Sequence, residues 1–123
     1  MVLERLPYDL TVCKAAGIAD LNLEAEFFFL GKTDEELSLV CRTEDAPAHT
    51  LEREDGWRGF RVQGTLDFSL TGILSQLSGI LAEQGIGIFA VSTYNTDYLL
   101  FREAFMDTAL DALKKAGYEI KYP

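Results

Sequence analysis

The alternation of apolar patterns between Trp57 and Tyr122 constrains the fold more than any other feature of this sequence. A run with apolar residues at every second position predicts a half-buried strand, and apolar residues at helical spacing follow it. The series continues with two strand-like runs around a polar turn and a second helical pattern, and it ends with a short strand. The strands predicted in this half are 60–66, 86–93, 98–101 and 118–122.

Two amphipathic helices are predicted between these strands. The first covers Leu70–Leu81, with Ser69 as its N-cap and Gly85 as the stop. The second covers Met106–Leu113, has lysines in its last turn and ends at Gly117. Each helix has one apolar stripe, so both can cover one face of a four-stranded antiparallel sheet. With right-handed crossovers, the simplest topology is a ferredoxin-like βαββαβ unit.

The first half of the chain predicts strands and loops. Strand candidates are Tyr8–Lys14, Glu26–Lys32 and Leu37–Cys41, and a polar turn makes a hairpin of the last two. The charged segment Glu44–Asp55 is predicted to be a loop and the boundary between the halves. The predicted fold class is therefore α+β, with a reduced, mostly β unit over residues 1–56 and a complete unit over 57–123.

Composition and charge exclude several functional classes. Apolar residues make up 48% of the 123 residues, enough to build a core, and the formal charge is −9. A chain this acidic repels phosphate backbones, which argues against a nucleic-acid partner. No apolar run has the roughly 20 residues of a membrane span, and the N-terminus shows no signal-peptide pattern. We therefore expect a cytoplasmic protein without a membrane partner.

The residue types that carry catalysis or metal binding are sparse. Cys13 and Cys41 lie in strand-like runs and are predicted to be buried reduced thiols, with a disulfide or redox pair as the alternative. His49, the single histidine, is expected in a surface loop, and no metal site is predicted. The sequence has no nucleophile-elbow, phosphate-loop or dinucleotide-binding motif. We therefore predict no catalytic residues, no cofactor and no enzymatic activity.

Two segments resemble the ACT domain family. They are Asp67–Leu74, where a helix opens on the letters TGI, and Gly85–Tyr98, which contains IGIFAVSTYNTDY. The hairpin Phe27–Cys41 resembles the first unit of the same proteins, in the aspartokinase-like branch that includes small two-ACT proteins and a eukaryotic cytosolic arginine sensor. The resemblance implies βαββαβ units that pair side by side and bind a regulatory ligand, usually an amino acid, at the interface between units.

Elementary chemistry suggests how such a ligand would be held. The start of the first helix offers unpaired N–H groups to an α-carboxylate, and Gly72 lets a ligand approach the backbone. Acceptors on the following hairpin turn can take the amine. The helix start contains no acidic side chain, which disfavours a strongly cationic ligand such as arginine. The candidate ligand-binding residues are Leu70, Thr71, Gly72, Ile73, Thr93, Tyr94, Asn95 and Asp97.

Structural explanations for these residues remain open at this point. Gly72 can serve tight helix–strand packing, Asn95 and Asp97 can simply build the turn, and Ser69 can act only as a cap. The leading hypothesis is an allosteric amino-acid sensor, expected as a homodimer that regulates an unidentified protein. The alternative is an assembly or interaction module without a ligand. A small enzyme on a ferredoxin-like fold is the third hypothesis.

Overall fold

The computed structural model describes residues 2–63 and 72–122. Within these ranges the chain forms eight strands and two α-helices. In chain order they are β1 (Val2–Arg5), β2 (Leu10–Ala15), β3 (Phe28–Lys32), β4 (Leu37–Arg42), β5 (Thr50–Val62), α1 (Ile73–Glu83), β6 (Phe89–Ser92), β7 (Asp97–Arg102), α2 (Met106–Lys115) and β8 (Glu119–Lys121).

The chain groups into two compact units. The C-terminal unit comprises Met1–Pro7 together with Arg58–Pro123, and the N-terminal unit comprises Tyr8–Trp57. The boundary predicted from sequence lies between residues 56 and 57, so the structure differs in assigning the first seven residues to the C-terminal unit. The reason is strand pairing, because β1 pairs with both β5 and β8.

The sheet of the C-terminal unit contains, among the described residues, five strands in the order β6-β7-β5-β1-β8. The prediction of four antiparallel strands from residues 57–123 is wrong on this point. Leu3 of β1 pairs antiparallel with Val62, and Val2 pairs parallel with Glu119. The three-residue β8 joins the sheet by pairing with β1, a strand that lies outside residues 57–123.

Both helices of the C-terminal unit pack into one core, as their apolar stripes predict. Helix α1 buries Leu77 and Leu81, and α2 buries Met106, Ala109 and Leu113. These side chains pack with strand residues that share one face of the sheet. Among those strand residues, the ring centroids of Phe60 and Phe101 lie 5.5 Å apart. The strand residues are Leu3, Phe60, Val62, Leu99 and Phe101. The predicted α+β, ferredoxin-like fold class is confirmed.

The helix bounds agree with the sequence at the C-terminal ends. Helix α1 ends at Glu83, two residues before Gly85, and α2 ends at Lys115, two residues before Gly117. Both glycines adopt positive φ, as expected of helix stops. The predicted N-cap, Ser69, lies outside the described residues, whereas α1 itself begins at Ile73 with Gly72 in the capping position.

The N-terminal unit is a β-sheet in which β3, β4, β2 and the first part of β5 are neighbours. The prediction of a loop over Glu44–Asp55 is wrong. Residues 43–45 form a short 3-10 turn, and β5 begins at Thr50. The strand forms despite its charges because β2 supplies backbone partners, with Lys14 directly opposite Glu52. Periodicity cannot indicate such a strand, since its side chains are mostly exposed.

The two cysteines of the N-terminal unit are free and buried. They share a small apolar cluster with Leu39. Burial raises the pKa of Cys13, and burial, together with Cys13, raises the pKa of Cys41 to about 12. Both side chains are therefore protonated thiols at neutral pH, which suits a packing role rather than a reactive one.

The hairpins of the two units are built alike. In each, a threonine at the start of the turn donates its N–H to the carbonyl three residues later, from Thr33 to Glu36 and from Thr93 to Thr96, both at 2.9 Å. A short 3-10 turn follows each second strand, at Thr43–Asp45 and Glu103–Phe105. The N-terminal hairpin thus repeats the C-terminal one. Among the described residues, no helix is long and apolar enough to cross a membrane.

Candidate functional site

The start of α1 presents backbone N–H groups that no side chain within residues 2–63 and 72–122 caps. Gly72 occupies the N-cap with φ 83° and ψ −4°, a left-handed conformation that glycine adopts without steric cost. The first intrahelical bond joins the N–H of Gln76 to the carbonyl of Gly72 at 2.8 Å. The N–H groups of Ile73 and the two residues after it therefore lack partners inside the helix, and the first turn holds no acidic residue.

The β6–β7 turn is held by its own threonines. The hydroxyl of Thr93 donates to the carbonyl of Thr96 at 3.0 Å, and the N–H of Thr96 lies 3.4 Å from the same hydroxyl. Thr96 is buried and donates through its own hydroxyl to the carbonyl of Val62 at 2.7 Å. Tyr94, at the tip, is 83% exposed. The turn is therefore anchored to the end of β5.

The turn and the start of α1 lie at the same end of the sheet. Thr96 bonds to Val62, the last residue of β5. The hydroxyl of Tyr118 donates to Oε1 of Gln76 in the first turns of α1. Tyr118 directly precedes β8, whose first residue, Glu119, pairs with Val2. The carbonyl of Val2 accepts a hydrogen bond from the N–H of Gln63, the residue after β5, so Val2 lies beside the end of β5. Backbone donors and turn acceptors thus occupy one end of the C-terminal unit.

Asp97 is positioned by a neighbour on its own hairpin. Its Oδ1 accepts a 2.7 Å hydrogen bond from the hydroxyl of Ser92, its direct partner across the two strands. Because side chains alternate along a strand, Asp97 lies on the same face as Leu99, the face that the helices cover. The carboxylate keeps its second oxygen for another donor.

A cavity of about 200 Å³ adjoins the first turn of α1. Of the residues predicted for the site, Ile73 lines this cavity. The other described residues of its wall were not predicted from the sequence, and they are Gln76, Ala116, Gly117 and Tyr118. The sequence indicates Gly117 as a helix stop and Tyr118 as the start of a strand. Neither of these local roles indicates that the residue lies near α1. A polar Gln76 one turn after Ile73 is the signal that sequence analysis could have used.

The described residues of the cavity wall carry no charge. Burial raises the pKa of Tyr118, so its hydroxyl stays protonated and serves as a donor to Gln76. The described wall contains no side chain from Thr93–Asp97. Of the remaining predicted residues, Thr93, Tyr94 and Asn95 are exposed on the turn, and Leu70 and Thr71 lie outside the described residues.

This arrangement defines the class of protein. The C-terminal unit is ferredoxin-like, with helix-start donors and hairpin acceptors at one end, and the second unit is mostly β. A family model described as ACT domain matches residues 52–115, slightly more than half of the chain. The chain belongs to the ACT domain family, as the segments with TGI and IGIFAVSTYNTDY predict. Domains of this family are regulatory modules that commonly bind amino acids.

Solved structures share the fold over nearly the whole chain. Protein Atu0741 from Agobacterium tumefaciens is 30% identical with a TM-score of 0.84, and the alignment covers 98% of this chain and 92% of that one. VC0802 from Vibrio cholerae, described as a protein of unknown function and possible transport protein, is 23% identical with a TM-score of 0.73, covering 90% and 85%.

The fold is also shared with a chain in a structure of aspartokinase subunits. A structure of aspartokinase alpha and beta subunits is 18% identical with a TM-score of 0.68, covering 94% of this chain and 97% of that one. At this identity, and at that of VC0802, the likeness shows the fold alone. In fold, this likeness agrees with the predicted resemblance to the aspartokinase-like branch. A search of curated proteins found no match.

Proposed function

We propose that this chain is a non-catalytic regulatory protein that binds a free amino acid at the α1 start of its C-terminal unit. The observation that supports the proposal is the placement of the N–H groups that open α1, which no described side chain caps, and the β6–β7 turn at one end of the same sheet. A free amino acid is a zwitterion, so its carboxylate suits the N–H donors of the helix and its ammonium group suits the acceptors of the turn. The α-carboxylate would accept from the first turn of α1, and the amine would donate to Asp97, with Thr93 and Asn95 beside it.

The character of the cavity favours an uncharged ligand side chain. Its described wall combines apolar groups with the hydrogen-bonded pair Gln76 and Tyr118 and holds no ionised group. A cationic side chain placed there would lose hydration without gaining a counter-charge. We therefore expect a neutral amino acid to bind more tightly than arginine or lysine.

A thermal-shift screen of the twenty amino acids tests the proposal. A ligand present at 100 times its Kd stabilises the folded state by about 2.7 kcal/mol, which raises the Tm by several degrees. Calorimetry on two variants then locates the site. Asp97→Asn should remove the amine partner, and Gly72→Val should place a branched side chain over the N–H groups.

The matched control is Asp34→Asn, which changes an exposed carboxylate in the corresponding turn of the N-terminal unit and should leave binding intact. Unchanged affinity in both site variants would place the ligand elsewhere. If no amino acid binds the parent protein at millimolar concentration, the assembly-module alternative becomes the better account.

The proposal includes a homodimer in the cytoplasm that acts on an unidentified regulated protein. Strand β3 supports pairing between chains, because β4 is its only strand partner among the described residues and its last three residues are exposed. Sedimentation velocity at high micromolar concentration tests this part separately. A single monomer boundary under those conditions would exclude the dimer while leaving the amino-acid site to be judged by calorimetry.

A further inference from the structure

Tyr118 places a polar group at a fixed position in the wall of the cavity beside α1. Its side chain is buried and packs into the core of the C-terminal unit, and its backbone N–H donates to the carbonyl of Leu113 at 3.1 Å. Burial also raises the pKa of the hydroxyl, which therefore stays protonated at neutral pH. A protonated phenol donates one hydrogen bond and can still accept another through its oxygen.

Gln76 takes the one proton that Tyr118 can donate. The hydroxyl of Tyr118 donates to Oε1 of Gln76, so the other end of the amide, Nε2, keeps its two N–H donors. Within residues 2–63 and 72–122, Nε2 of Gln76 has no hydrogen-bond partner. The pair therefore offers a ligand N–H donors from Gln76 and, next to them, a lone pair on the oxygen of Tyr118.

The remaining described residues of the wall offer a ligand no side-chain hydrogen bond, and they are Ile73, Ala116 and Gly117. The backbone N–H groups of Ala116 and Gly117 are already bonded to carbonyls of α2, at 3.1 and 3.0 Å. Gln76 and Tyr118 are therefore the polar side chains with which the described wall can recognise a ligand.

The size and polarity of the cavity define the ligand group that fits. Its volume of about 200 Å³ is several times the roughly 30 Å³ share of a water molecule in the liquid, which suits a short side chain. A side-chain amide matches the pair, because its carbonyl accepts from Gln76 and its NH₂ group donates to Tyr118. A carboxylate brings no donor and loses hydration, and an apolar side chain leaves both protein groups unpaired.

We propose that Gln76 and Tyr118 select an amino acid with a side-chain amide, glutamine or asparagine. This inference rests on the amino-acid site proposed above, since the start of α1 must hold the α-carboxylate while the side chain enters the cavity. Its new content is the chemical class of the ligand and the two residues that determine it.

Calorimetry on the parent protein tests the selection with four probes, L-glutamine and L-asparagine against their apolar counterparts of similar size, L-methionine and L-leucine. At least one amide should bind about tenfold more tightly than its counterpart, and the tighter amide gives the side-chain length. Equal affinity within both pairs, or tighter binding of any other amino acid, overturns the selection and leaves the amino-acid site standing. If none of the twenty amino acids binds, both proposals fail.

Two variants test the residues. Gln76→Met and Tyr118→Phe remove the polar groups at similar volume. Each should weaken binding of the preferred amide about tenfold, the change that about 1.4 kcal/mol produces, and should leave binding of the apolar counterpart nearly unchanged. A merely structural role would weaken both ligands equally.

The matched control is Gln84→Met, at an exposed glutamine at the other end of α1, which should keep the preference of the parent. A preference that persists in both Gln76→Met and Tyr118→Phe overturns the assignment to these residues. If Tyr118→Phe fails to fold, Gln76→Met decides the matter, because Gln76 is exposed and its replacement leaves the core intact.

Discussion

The buried hydroxyl of Thr96 donates a 2.7 Å hydrogen bond to the carbonyl oxygen of Val62 and so joins the β6–β7 turn to the end of β5. Thr96 is only 6% exposed, whereas its turn neighbours Thr93, Tyr94 and Asn95 are exposed. The position of the proposed acceptors therefore depends on a residue that is absent from the set predicted from sequence.

Thr96→Val should destabilise the protein by about 1–3 kcal/mol, because it leaves a buried carbonyl without its donor at nearly constant side-chain volume. Urea titration measures the loss. The same substitution at the exposed Thr108 of α2 is the control and should change stability by no more than about 0.5 kcal/mol. Equal effects at the two positions would contradict an anchoring role for Thr96.

Leu77→Ala should cost roughly 2–5 kcal/mol, the usual range for a core leucine. Leu77 is 1% exposed and packs between α1 and the sheet. Leu23→Ala, at a position 54% exposed, is the matched control and should be nearly neutral. Chemical denaturation of both variants gives the comparison, and a loss under about 0.5 kcal/mol for Leu77→Ala would place that side chain outside the core.

Gly72→Ala and Gly79→Ala should have opposite effects on stability. Gly72 has φ 83°, where an alanine costs about 1–2 kcal/mol, although an added Cβ meets no atom within 4 Å. Gly79 lies inside α1 with equally open surroundings, so alanine there should stabilise the protein by about 0.5–1 kcal/mol. Thermal unfolding of the two variants measures the signs. Stabilisation by both would show that Gly72 does not need its left-handed conformation.

Stability should fall as pH rises above about 9, partly through Cys41. Burial raises the pKa of this thiol from 9.0 to about 12, so the folded state retains a proton that the unfolded chain releases. The resulting contribution is fully present below about pH 9 and is lost progressively toward about pH 12. Urea midpoints at about pH 8 and about pH 10.5 measure the decline. Cys41→Ala should flatten it, and an unchanged slope in that variant would refute the assignment.

Local patterns in the sequence predict much of the C-terminal unit. Apolar spacing and the glycines after each helix predict α1 and α2 and their ends, because these signals act within one or two turns. The polar turn after β6 and the ends of its hairpin are local for the same reason. The charged part of β5 is missed, since its exposed side chains have no period and its strand exists through pairing with β2.

Short stretches of the sequence are enough to predict the helices, the hairpins and the family, because periodicity, turn chemistry and the TGI and IGIFAVSTYNTDY segments are local signals. Two features become visible only once the chain is folded: Val2–Arg5 enters the sheet between β5 and β8, and Tyr118 contacts Gln76. Each of these depends on which distant strands become neighbours. That choice is set by the total burial and hydrogen bonding of the assembled sheet, to which residues far apart in the chain contribute together.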